Sequence, residues 1–323
     1  MTILTLIFFI LGIALISYGA NVLVSSTQNI SEKYDISYFL SSFIFIGLAT
    51  SSPEIIISIL SSLDGKPNIA IGNALGSNIA NVALVFALSY LFLTRNDLLL
   101  NKKIDQETYG FILFLIIISL LMIPLLSDGI FTFTESIVLI TVFIVLMVLY
   151  KNFYYSNDSD NKKTISHNHK SGFMITLATI FGFSLLLIGT EIFLASGISI
   201  AKYFGVTDYV IGLSITAVGT SIPELASSIE SARKKNIDFI IGNILGSNIF
   251  NFTIVISAAG LISLAQEPLL KSDLIRDMIM ILITLICFYI IIKNYNYMST
   301  KFLCISLLVL FVIYQISLYE INI

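Results

Sequence analysis

Apolar residues fill this chain in blocks of about twenty, the length of helix that crosses a bilayer core about 30 Å thick. Polar breaks between the blocks mark ten predicted spans, at 2–26, 38–63, 68–94, 108–126, 130–151, 172–201, 208–232, 238–264, 273–293 and 299–319. The long polar stretch between the fifth and sixth contains SNDSDNKKTISHNHK. It divides the chain into 1–151, a linker at 152–171, and 172–323. The first block lacks a basic leader and a small-residue cleavage site, so it reads as a retained helix rather than a signal peptide.

Self-similarity sharpens this picture. The segment GLATSSPEI (47–55) returns as AVGTSIPEL (217–225), and GNALGSNIAN (72–81) returns as GNILGSNIFN (242–251), each 170 residues later. The repeated positions are largely polar, which ordinary membrane-helix composition does not produce. Five spans per copy is an odd number, so the second copy enters the bilayer upside down. Such pairs pack about a pseudo-two-fold axis in the membrane plane and form substrate sites near the midplane. The predicted fold is an all-α membrane protein with ten transmembrane helices arranged as two inverted five-helix repeats, and its architecture is that of a transporter.

Composition agrees and adds orientation. Hydrophobic residues make up 57% of the chain and charged residues 11%, against about 45–50% and about 25% in soluble domains. Thirteen of the 17 basic residues fall on the side of the central linker, leaving Lys66, Lys202, Lys271 and Arg276 opposite. The linker is therefore expected in the cytoplasm and both termini outside, in a multi-pass cell-membrane protein. The net charge of −3 points to no nucleic-acid partner. Cys287 and Cys304 lie in late apolar spans, suggesting neither disulfide framework nor zinc site. His167 and His169 read as solvated linker residues. No cofactor and no obligate protein partner beyond the bilayer is expected.

Candidate chemistry centres on Glu54 and Glu224, midway along the second and seventh spans. A lone carboxylate at the bilayer centre costs roughly 2.5–3.5 kcal/mol on insertion scales, and no Lys or Arg lies centrally in any span to pair with it. Each glutamate follows a proline, Pro53 or Pro223, which removes a helix hydrogen bond and frees the carbonyls of Ala49 and Gly219. Helical spacing places Thr50 and Ser51 beside Glu54, and Thr220 and Ser221 beside Glu224. Ser77 with Asn81, and Ser247 with Asn251, are again four apart. This all-oxygen set suits Na⁺, Ca²⁺ or Mg²⁺ rather than zinc or copper, and a dry cage suits Ca²⁺ better than reluctantly dehydrating Mg²⁺. Gly72, Gly76, Gly242 and Gly246 read as packing positions. Asn73, Asn78, Asn243 and Asn248 read as holders of interhelical hydrogen bonds.

These motifs, ATSSPE and GTSIPE with GNALGSN and GNILGSN, resemble those of the calcium/cation antiporter superfamily, in particular its sodium/calcium exchanger branch. The resemblance covers the whole chain. It implies antiport of Ca²⁺ against Na⁺ by alternating access, with Glu54, Glu224, Thr50 and Thr220 forming the calcium site. It also implies sodium sites near Gly47, Ser51 and Ser77 and near Ala217, Ser221 and Ser247, a midplane ring completed by Asn81 and Asn251, and first and sixth spans that slide across the other eight. The chain departs from the pattern where Gly47 and Ala49 exchange the usual alanine and glycine, at polar Ser52, and at Asn251, where such exchangers carry aspartate. Two carboxylates limit the fixed charge to −2, which points to two Na⁺ per Ca²⁺. A proton/calcium exchanger of the same fold is the alternative, although the third and eighth spans lack the acid of the proton-coupled motif. A cation channel suits an inverted repeat poorly, and an enzyme would need a base that Ser51 and Ser221 lack.

Overall fold

A computed structural model describes residues 3–100, 106–153, 171–205, 217–262, 271–293 and 297–320, with no strand among them. We label the helices α1 (Ile3–Tyr34), α2 (Tyr38–Thr50), α3 (Ser52–Leu63), α4 (Pro67–Leu91), α5 (Arg95–Leu100), α6 (Gln106–Leu125), α7 (Phe133–Phe153) and α8 (Gly172–Tyr203). There follow α9 (Ala217–Gly219), α10 (Ile222–Arg233), α11 (Ile237–Ile262), α12 (Lys271–Lys293) and α13 (Tyr297–Glu320). Eight helices are long and apolar enough to cross a membrane, and a ninth span is the α2–α3 pair, bent by 41°. Of the expected seventh span only α9 and α10 are described, and residues 154–170 of the expected linker, with His167 and His169, lie outside the described residues.

Hydropathy marks where a bilayer ends and not where a helix ends. The expected first span stops at 26, yet α1 continues through the polar turns to Tyr34. Both α1 and α8 have 32 residues, or about 48 Å at 1.5 Å per residue, so each outruns the hydrocarbon.

The helices form two bodies. A large core joins α2, α4, α6, α7, α11, α12 and α13, with α11 at its centre. Within their most apolar windows, α11 is 94% buried whereas α1 and α8 are each 22% buried. These two outer helices pack antiparallel along their lengths, and a second, smaller core containing Ile16, Leu23, Val24 and Leu186 joins them to Ile46 of α2 and Phe239 of α11. Glycines set their closeness. A Cβ on Gly19 would lie 2.6 Å from the Leu186 nitrogen, and one on Gly182 would lie 2.6 Å from the Leu23 nitrogen. Gly12 meets Phe193 and Gly189 meets Ile16 in the same way.

Each of these contacts recurs on adding 170 to one partner and subtracting it from the other, so the pseudo-two-fold axis passes through the pair. The turns repeat as well: positive φ occurs at Asp35 and Gly205, and at Gly65 and Lys235. The inverted repeat read from the motifs is thus present in the packing.

Candidate functional site

The motif Ser-x-Pro-Glu starts a helix. Proline suits the first turn, where its missing N–H has no partner to lose, and here it is the second residue of α3 or α10, two positions after Ser51 or Ser221 at the N-cap. Both serines leave helical geometry, at φ −79°, ψ 1° and φ −88°, ψ 6°. The spans are therefore broken rather than kinked, and each glutamate sits in the first turn of the second piece, where aligned peptide dipoles favour negative charge. A capping serine usually donates about 1 kcal/mol of stability by accepting a backbone N–H. Neither of these serines caps its helix, which leaves its hydroxyl available inside the membrane.

The break changes which side chains meet. Thr50 does not share a face with Glu54 but turns to the other repeat. Its Oγ1 lies 3.1 Å from Ser247 Oγ, which donates to Glu224 Oε1 at 3.4 Å. In the mate of this arrangement, Thr220 Oγ1 lies 3.5 Å from Ser77 Oγ, which donates to Glu54 Oε1 at 3.3 Å. Thr50 also donates to Asn243 Oδ1 at 3.2 Å, and Thr220 to Asn73 Oδ1 at 3.5 Å. Below this level, Asn81 Nδ2 donates to Asn248 Oδ1 at 3.0 Å and Asn251 Nδ2 to Asn78 Oδ1 at 3.2 Å. Each of these bonds has a mate 170 residues away, and each carboxylate is approached by a serine of its own repeat and, through that serine, by a threonine of the other.

Most of the unpartnered polar atoms at the site are oxygens, Asn73 Nδ2 and Asn78 Nδ2 being the exceptions. Buried polar atoms are almost always hydrogen-bonded, yet no protein donor reaches Ser51 Oγ, Glu54 Oε2, Asn81 Oδ1, Ser221 Oγ, Glu224 Oε2 or Asn251 Oδ1. These six oxygens form three symmetry pairs, and their residues are at most 1% exposed. Buried oxygens without donors are the groups that a dehydrated Na⁺ or Ca²⁺ needs.

The expected site residues are therefore brought together, with Ala217 placed only as the first residue of α9. The Gly47 carbonyl accepts from Thr50 at 3.3 Å and Ser247 at 3.4 Å, and the Cβ that Gly47 lacks would lie 3.0 Å from Gly246 Cα. Gly242 and Gly246 pack against the backbone of α2 at Phe39 and Phe43, whereas nothing among the described residues lies within 4 Å of a Cβ on Gly72 or Gly76. The asparagine reading holds for Asn243, which donates to the Glu224 carbonyl, Ser227 and Ser228.

Sequence reasoning missed three features. π-Helical turns, which recur at functional sites, occupy Ser42–Gly47, Asn81–Phe86 and Asn251–Val255. The glycine seams of α1 and α8 were legible as Gly12 and Gly19 recurring at Gly182 and Gly189. Glu191, exposed on α8, is a further acid within a span, and its place in a predicted span was the available signal.

The profile of the family described as sodium/calcium exchanger protein matches residues 4–151 and 174–319. The chain belongs to that family. It is 32% identical over 250 residues to the uncharacterized membrane protein MJ0091 of Methanocaldococcus jannaschii, covering 77% of this chain and 79% of that protein. It is 25% identical over 289 residues to the sodium/calcium exchanger MaX1 of Methanosarcina acetivorans, covering 78% and 81%. A solved structure of the sodium–calcium exchanger NCX_Mj, soaked with Na⁺ and Ca²⁺, superposes with a TM-score of 0.75 at 28% identity, covering 97% of this chain and 98% of that one. The chain is a multi-pass membrane transporter of cations, including Ca²⁺, and not an enzyme.

Proposed function

We propose that the chain exchanges Ca²⁺ for Na⁺ by alternating access at a midplane site built from Glu54, Glu224 and the oxygens around them. The six symmetry-paired buried oxygens that lack a protein donor carry this reading. Glu54 and Glu224 with Thr50 and Thr220 hold Ca²⁺. Na⁺ occupies flanking positions at Gly47, Ser51 and Ser77 and at Ala217, Ser221 and Ser247, with Asn81 and Asn251 closing the ring. Ten spans in two inverted halves, divided at the 152–171 linker, keep the linker cytoplasmic and both termini outside.

Liposomes containing the purified protein test the coupling. An outward Na⁺ gradient should drive calcium uptake, while Li⁺, K⁺ or pH gradients of equal size drive little. Uptake that follows the pH gradient instead would establish the proton-coupled alternative.

The charge of the site sets the stoichiometry. Asn251 donates through Nδ2 to Asn78, leaving a neutral carbonyl oxygen where a carboxylate would add a third charge. Two carboxylates balance one Ca²⁺ or two Na⁺, so exchange is electroneutral. A potential of 100 mV acting on one net charge is worth about 2.3 kcal/mol, roughly fifty-fold in the limiting ion ratio. Wild-type exchange should therefore be indifferent to an imposed potential, and Asn251→Asp should make it respond. A wild-type current during calcium-driven Na⁺ release would refute electroneutrality.

A further inference from the structure

The pseudo-two-fold axis predicts that whatever happens at one mouth of the site happens at the other, and the packing of the outer helices departs from that rule. On the side carrying most of the basic loops, α1 packs along α10. The symmetry-equivalent pair, α8 with α3, lacks comparable packing. All four helices are described over their whole lengths, so the difference belongs to the fold.

Side chains at the end of α10 account for it. Lys234, just past the end of α10, donates from Nζ to the Asn21 carbonyl and to Asn21 Oδ1, both at 3.4 Å, and to Ser25 Oγ. Glu230 Oε1 lies 3.8 Å behind the ammonium. One cation thus ties the end of α10 to a full turn of α1. The mates of these four residues cannot repeat the contact. Lys234 corresponds to Asp64, Asn21 to Glu191, Ser25 to Ala195 and Glu230 to Leu60. A carboxylate stands where the ammonium should be and another where its acceptor should be, and both acids are exposed.

We infer that Lys234 is a positioning residue for exchange: it latches α1 onto α10 and holds the site shut on the basic-loop side, while the residues 170 positions away form no such latch at the other mouth. The α1–α8 pair, largely exposed and touching the bundle through the small core it shares with Ile46 and Phe239, is the body the latch restrains. This inference rests on alternating access at the Glu54–Glu224 site and concerns only which mouth the empty protein favours.

Its test is orientation-free and does not depend on the ion carried. Val24 on α1 is 0% exposed against the bundle, so Val24→Cys reports when α1 lifts away. Labelling by a water-soluble maleimide is followed in lipid nanodiscs, with the labelling of the native Cys287 and Cys304 measured in the parent and subtracted. Lys234→Met, which keeps the stem and removes the charge, should raise the labelling rate about tenfold, equivalent to about 1.4 kcal/mol. Lys234→Arg should restore the slow rate. The combination Asn21→Leu and Ser25→Ala, which leaves Lys234 in place, should raise labelling as Lys234→Met does. Parental labelling in either the Met variant or the acceptor-deleted variant overturns the latch. So does an equal rise in the Met and Arg variants, which would assign the effect to lost packing. If calcium–sodium coupling fails in liposomes while labelling responds as stated, the ion assignment falls and the latch stands.

Discussion

Glu54→Gln and Glu224→Gln should each lower calcium uptake into liposomes at least about a hundredfold without unfolding the protein. The substitution keeps shape and volume while removing half of the fixed charge that offsets dehydration of a divalent ion. It also converts a surplus acceptor into a donor. Glu54 Oε2 and Glu224 Oε2 are buried and no protein donor reaches them, so neutralising either carboxyl leaves no hydrogen bond from Oε2 to break. The variants should therefore melt at or above the wild-type temperature when no ion is added. Ligand binding distinguishes this from a damaged fold. Calcium at a hundred times its dissociation constant stabilises a protein by about 2.7 kcal/mol, so wild-type melting should rise with Ca²⁺ and that of both variants should not. Retained uptake in the doubly substituted protein would remove Glu54 and Glu224 from the mechanism.

The second large effect lies away from the site. Gly19→Val should stop transport while leaving calcium binding intact. Its new side chain meets backbone: the first carbon alone would stand 2.6 Å from the Leu186 nitrogen and 2.9 Å from the Gly182 carbonyl oxygen. Backbone cannot rotate away as a side-chain tip can, so α1 and α8 must separate, at a cost of about 1–3 kcal/mol. The proposed ligands lie on α2, α3, α4, α10 and α11 and near α9, and none is on the displaced pair. Melting temperature should still rise with Ca²⁺ as uptake falls more than tenfold. Gly197→Ala is the control, because its nearest neighbour is the Phe9 ring at an ordinary 3.8 Å. Loss of the calcium-induced shift in Gly19→Val would show that the seam supports the site directly.

Much of this was legible in the chain. Repetition of polar residues at a constant offset requires no knowledge of packing, and the odd number of spans per copy converts that repetition into inversion. Glu54 and Glu224 stood out because an acid in a lipid-length apolar block is costly wherever it points. Ser77, Ser247, Asn81 and Asn251 followed from spacing along unbroken helices. Thr50 and Thr220 were legible as candidates, but the neighbours they meet were not. Helical spacing placed each beside the glutamate of its own repeat, and the broken helix at Ser51 or Ser221 sends it to the other.

The sequence by itself determined the membrane class, the inverted repeat and the composition of the oxygen set, because each depends on residue type and position along the chain. Tertiary structure alone decided how the two repeats interleave, which serine relays to which carboxylate, and that α1 and α8 form a body apart. It also decided that one mouth is fastened by Lys234 and the other is not. The physical reason is that hydrogen bonds and glycine seams join residues that are distant in sequence. A helix break of one residue redirects every contact that follows it.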